Sequence, residues 1–257
     1  MSKVANAMLF FVLGFIVAVA IFGYPTAEKV TGQAIQEQDA QNTTCIGPIN
    51  QTIERSLAIV AVSEDEDEGI IGNLTVRLIP GNSNVLIETN PFLEPDLQYS
   101  ANIAKEVAIE VTGKSNPDRD FVFTYSIESQ VVGGGSAGAA TTLAAIAALD
   151  NKTIRQDAII TGTINSDGTI GRVGGILEKA KAASDAGYKL FLVPRGQTVV
   201  RYYEREVTRE QTGLGFVFYN TRYVPKVLNI TESVKEWGLE LREVSNIKQA
   251  ADIMLRD

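Results

Sequence analysis

An α+β fold is predicted for this chain by three observations. Runs of β-branched residues separated by turn signals occupy the first part of its body. Apolar residues at helical spacing follow and alternate with them. Near the middle, a glycine-rich turn leads from a strand into a long alanine-rich helix. With 257 residues, 45% hydrophobic and 21% charged, the chain can bury a substantial core and is not disordered.

The expected strands are Ser56–Ser63 (SLAIVAVS), Leu74–Pro80 (LTVRLIP), Asn84–Asn90 (NVLIETN) and Asp120–Ser129 (DFVFTYSIES); Leu97–Val111 has helical spacing. The acidic run Glu64–Gly69 falls between strands and is expected as a solvated hairpin tip, since calcium would need ligands from elsewhere. Gly113-Lys114-Ser115 looks like the end of a phosphate-binding loop. The glycine required five positions earlier is Ala108, so that reading is rejected, and no complete nucleotide-binding motif occurs elsewhere in the sequence.

Before the body, Met8–Tyr24 (MLFFVLGFIVAVAIFGY) is an uncharged run of 17 residues, at the lower edge of what spans a bilayer. A retained anchor and a cleaved signal peptide compete. Pro25, three residues before a cut after Ala27, favours the anchor. Residues 1–27 are therefore expected as a single-pass membrane anchor, 28–53 as a polar tether and 54–257 as the functional domain. Five N-x-S/T sequons, at Asn42, Asn50, Asn73, Asn151 and Asn229, point to a body outside the cytoplasm.

Composition excludes several chemistries. The net charge of −8, with no concentration of basic residues, argues against a nucleic-acid partner. Cys45 is the only cysteine and histidine is absent, which excludes an internal disulfide and the usual zinc, copper and iron sites. No cofactor or metal is expected, although carboxylate-only magnesium or calcium sites stay open.

The stretch Val131–Ala140 (VVGGGSAGAA) holds a G-x-S-x-G pattern centred on Ser136, at the start of the helical run Ser136–Asp150. Unpaired N–H groups at such a helix start suit an oxyanion or a bound phosphate, so a structural turn, an anion site and a nucleophile are all open. Without histidine, Ser-His-Asp machinery is impossible. A serine nucleophile would need a lysine made neutral by apolar surroundings. In the helix expected over Gly174–Gly187 (GGILEKAKAASDAG), Lys179 falls among Ile176, Ala180, Ala183 and Ala186, whereas Glu178, Lys181 and Asp185 collect on the other side. Lys179 either snorkels its amine to solvent or holds it dry for chemistry.

GGGSAG, RQDAIITGTI, GRVGGILEKAKAASDAG and KLFLVP, in that order, resemble the proteolytic domain of the Lon protease family. The likeness extends from about Ser56 to the end of the chain. It implies a domain of mixed small sheets and packed helices, with Ser136 as nucleophile and Lys179 as general base, 43 residues apart. Thr161 then steers the lysine amine, and the backbone at Gly135 belongs to the oxyanion hole. The resemblance further implies polypeptide substrates and a homo-oligomeric ring of six. Gly133 and Gly135 depart from the family's aspartate and proline, and Thr163 stands where a glutamate is common. With no ATPase module in the sequence, substrates that are already extended are expected. The competing reading is a non-catalytic scaffold of the same fold at the membrane; a small-molecule phosphate binder is a third. Between Gln197 and Trp237, where RYYERE and FVFYN occur, an extra strand pair and helix packed at the edge are expected.

Overall fold

The structure is a computed structural model that describes residues 52–63, 68–90, 92–115, 117–128, 131–132, 134–211 and 217–257. The expected anchor Met8–Tyr24, the tether up to residue 51, residues 64–67 of the acidic run and Gly133 lie outside the described residues, whereas Ile53, expected to end the tether, begins β1. Among the described residues no helix is long and apolar enough to cross a membrane.

Alternating apolar residues put β1 (Ile53–Val62) and β2 (Gly69–Pro80) into an antiparallel hairpin, closed by Ser63 N–H donating to the Glu68 carbonyl at 2.8 Å. On the other side of β2 lies antiparallel β5 (Arg119–Ser126), followed by β3 (Val85–Thr89) running parallel to β5. Leu74, Val76, Leu78, Phe121, Phe123 and Tyr125 point from this sheet into the main core. A short strand β4 (Phe92–Leu93) pairs with β6 (Val131–Val132) just before the glycine turn.

Two helices cover that sheet's inner side. Helix α1 (Pro95–Thr112) has proline in its first turn and ends on Gly113, whose left-handed φ of 64° closes it. Gly113-Lys114-Ser115 is thus a helix end, and the Lys114 amine is taken up by Asp150 at 2.9 Å and the Leu149 carbonyl at 2.9 Å. Helix α2 (Gly138–Asp150) is buried on every side from Gly138 to Leu149, as an all-apolar helix must be. It packs against α1, β1 and β2.

A second sheet has the order β14 (Glu240–Val244), β11 (Leu190–Pro194), β8 (Ala158–Ile160), all parallel. Its continuous apolar runs, LFLVP and AII, suit strands covered on both faces. Beside it, α3 (Ile176–Asp185) and α4 (Ile230–Glu236) close a second core with Val60, Ile159, Phe191 and Leu239. Small pairs complete the body: β7 (Thr153–Ile154) with β15 (Leu255–Arg256), and β9 (Thr163–Ile164) with β10 (Ile170–Gly171). Helix α5 (Ile247–Met254) packs on α2 and β14.

The region after Gln197 does contain a strand pair and a helix, namely β12 (Val199–Gln211), β13 (Val217–Asn229) and α4. The expectation that the strands pack at an edge is corrected. Among the described residues they pair only with each other, as a ribbon, and most of their described residues are exposed.

Candidate active site

Ser136 lies not in the first turn of α2 but in the 3-10 turn Gly135–Ala137 that precedes it. Gly134 enters this turn with φ 71°, a backbone state that a side chain disfavours. The turn is fastened from outside. The Ser136 carbonyl accepts the Gly162 N–H at 2.9 Å and the Thr161 hydroxyl at 3.3 Å, while the Gly162 carbonyl accepts the Ala139 N–H at 3.0 Å. Thr161 itself follows β8, where its N–H donates to the Leu192 carbonyl at 3.0 Å. Gly135 is half-buried, and a Cβ built on it would lie 3.3 Å from Thr163 Cγ2, so Thr163 sits over the turn.

Lys179 is on the buried face of α3 with Ile176, Ala180 and Ala183, and is only 4% exposed. The helix is shorter than Gly174–Gly187, and Ala186, expected on the apolar side, is exposed because the chain leaves the helix there. On the far face Lys181 pairs with Asp185, as the spacing predicts. Helix and hairpin meet closely. A Cβ at Gly69 would lie 2.2 Å from the Glu178 carbonyl, and one at Gly175 would lie 2.4 Å from Val62 Cγ2. Only glycines let the β1–β2 hairpin settle against α3.

The Lys179 amine donates to Thr161 Oγ1 at 3.5 Å, and among the described residues it has no carboxylate partner. Burial drives its pKa down to about 8, against a smaller upward pull from the neighbouring Glu178 charge. Thr161 therefore joins the two candidates: its hydroxyl receives the lysine amine and donates to the serine's own carbonyl. No hydrogen bond joins Ser136 Oγ to Lys179 Nζ, and the serine hydroxyl has no partner among the described residues.

Other residues lie against the turn with almost no signal in the sequence. The Ala137 carbonyl accepts the Thr141 hydroxyl at 2.9 Å, which meets the buried Tyr125 hydroxyl at 2.9 Å. Burial pushes the Tyr125 phenol up, so it stays protonated. Ser100 on α1 is buried, its hydroxyl without a partner among the described residues and 2.6 Å from where a Cβ on Gly138 would stand. The only hint was that Thr141 and Thr142 interrupt an otherwise apolar helix.

A groove of about 600 Å³ opens at the amino end of α3, lined by Arg172, Val173, Gly175, Ile176, Gln197 and Val199. The Gln197 side chain holds one wall, accepting the Val173 N–H at 2.9 Å and donating to its carbonyl at 2.6 Å. No group of three or more metal-ligating side chains occurs among the described residues.

Residues 128–201, which contain Ser136, Thr161 and Lys179, match the Lon protease (S16) C-terminal proteolytic domain. This segment is of the Lon proteolytic type. The Lon protease of Phenylobacterium zucineum is 42% identical over 77 residues, 30% of this chain and 9% of that protein. The archaeal Lon protease of Methanocaldococcus jannaschii is 32% identical over 82 residues, 32% and 13% respectively. The Lon protease of Fervidobacterium nodosum aligns over a longer stretch, 157 residues at 30% identity, 60% of this chain and 19% of that protein. The chain thus spans less than about a fifth of the length of each of these relatives.

Proposed function

We propose that the chain is a serine endopeptidase with Ser136 as nucleophile and Lys179 as general base. The buried amine carries this reading, since it meets a hydroxyl and no carboxylate among the described residues. With a pKa of about 8, about a tenth of the amine is neutral at pH 7 and about half at pH 8. In acylation, Lys179 takes the Ser136 proton as Oγ bonds to the scissile carbonyl carbon. The carbonyl oxygen becomes an oxyanion at the N–H groups of the Gly135–Ser136 turn. Collapse breaks the C–N bond, the lysine proton passes to the leaving nitrogen, and an ester remains on Ser136. Water then gives a proton to Lys179 and attacks the ester; collapse returns the proton to Oγ. Thr161 is a positioning residue that orients the amine and holds the serine backbone. Catalytic pairs often tighten only around substrate, which accommodates the missing Ser136–Lys179 hydrogen bond.

Extended polypeptides are the proposed substrates, entering along the groove beside α3. By its likeness to Lon proteases the chain is read as a homo-oligomeric ring of six. By Met8–Tyr24 it is read as anchored by a single span, and by its N-x-S/T sequons as carrying the body outside the cytoplasm. A second reading, a non-catalytic scaffold, is favoured by the absence of that hydrogen bond. Incubating the purified chain with an unfolded protein and no nucleotide separates the two. Cleavage is expected, and Ser136→Ala or Lys179→Ala is expected to lower it by about 10³-fold or more. Equal cleavage by all three refutes the dyad; no cleavage by a folded wild-type chain supports the scaffold.

A further inference from the structure

The two faces of the β12–β13 ribbon differ in a way that the peptidase reading does not use. Register places Arg205 opposite Tyr223, Arg209 opposite Tyr219 and Tyr203 opposite Pro225, all on one face with Val207. Tyr203, Tyr219 and Tyr223 are 71%, 69% and 64% exposed. By register this face carries no Asp or Glu at any position, and neither Arg205 nor Arg209 has an ion-pair partner among the described residues. The opposite face holds Glu204, Glu206 and Glu210 by register, with Glu206 paired to Arg222 at 3.1 Å and Glu204 to Lys226 at 3.4 Å.

We infer that the Arg–Tyr face of the ribbon docks on an anionic lipid surface. Two arguments set aside a protein partner. A strand of 13 residues is about 44 Å long and a two-stranded face about 10 Å wide, which gives about 450 Å². A stable protein interface buries about 800 Å² on each side. Stacking the ribbon on a second copy of itself would bring arginine against arginine with no carboxylate between them. A bilayer needs no matching area, accepts tyrosine rings at headgroup depth and offers phosphates to guanidinium groups. The same chain carries the apolar run Met8–Tyr24, and 28 residues separate it from β1.

Single cysteines at Thr221 on the arginine face or Thr208 on the other, in the full chain with Cys45→Ser, test this when labelled with a polarity-sensitive fluorophore. The chain is reconstituted into vesicles of phosphatidylcholine alone or with phosphatidylglycerol. With phosphatidylglycerol, the label at 221 is expected to shift to shorter wavelength and be quenched at least about twofold by lipid-borne quencher. The label at 208 stays unchanged. Arg205→Ser with Arg209→Ser, or about 0.5 M salt, abolishes the difference. Equal responses from the two labels, or equal responses in neutral lipid, overturn the inference. So does a shift at 221 in detergent that grows with protein concentration, which would identify a second copy as the occupant.

Discussion

Replacing Lys179 by methionine should stabilise this protein at neutral pH, and the gain should shrink as pH rises. A buried lysine whose pKa falls from 10.5 to about 8 binds its proton less tightly folded than unfolded. Below about pH 8 both states are protonated, and the native state bears the whole cost of a dry charge. Between about 8 and 10.5 the unfolded chain holds the proton and the native one does not, so wild-type stability climbs with pH. The cost is about 3 kcal/mol at pH 7, about 2 at pH 9 and below about 1 at pH 10. Methionine has similar volume and no charge, so Lys179→Met removes this cost at every pH. The assay is urea unfolding of the full wild-type and variant chains in the same detergent at pH 7, 9 and 10, comparing midpoints at matched slopes. A stability difference that is independent of pH, or that grows towards pH 10, refutes the claim that the amine is held dry.

Two further substitutions probe the scaffold of the site. Thr161→Val removes the hydroxyl that receives the lysine amine and donates to the Ser136 carbonyl; peptidase activity should fall about 10²-fold, whereas Thr161→Ser should recover most of it with an unchanged pH profile. Gly138→Ala puts a Cβ 2.6 Å from Ser100 Oγ and 2.9 Å from the Ile164 nitrogen, and should cost about 1–3 kcal/mol in urea unfolding. Because the Ile164 contact is with backbone, adding Ser100→Gly should restore only part of that loss.

Local pattern made much of this legible. The alternation in LTVRLIP and DFVFTYSIES gave strands within a few residues of β2 and β5, and helical spacing placed Lys179 on the buried face of α3. With no histidine in the sequence, a lysine is the base left to a serine nucleophile. What stayed hidden depends on partners distant in sequence. Ser136 stands in a 3-10 turn, and its carbonyl is captured by the Thr161 hydroxyl and the Gly162 N–H, 25 and 26 residues later. Ser100 and Tyr125 reach the glycine turn only after α1 and β5 have packed on α2. An extra strand pair after Gln197 could be read from the sequence. Its projection could not, because strand alternation does not say whether a third strand will cover either edge.

The dryness of Lys179 belongs to the whole body rather than to the matched segment. Ser136, Thr161 and Lys179 all fall within residues 128–201, but part of the apolar cover of α3 comes from beyond it. Val60 is on β1, Ile230 and Val234 are on α4, and Leu239 precedes β14. The β1–β2 hairpin reaches α3 through contacts at Gly69 and Gly175 too close for any side chain. Loosening either contact would let water to the amine and raise its pKa towards 10.5 without touching a candidate catalytic group. The chemistry of the glycine turn and the packing of a hairpin some 70 residues earlier are therefore one electrostatic unit, because a lysine is a base near neutral pH only while the rest of the fold keeps solvent away from it.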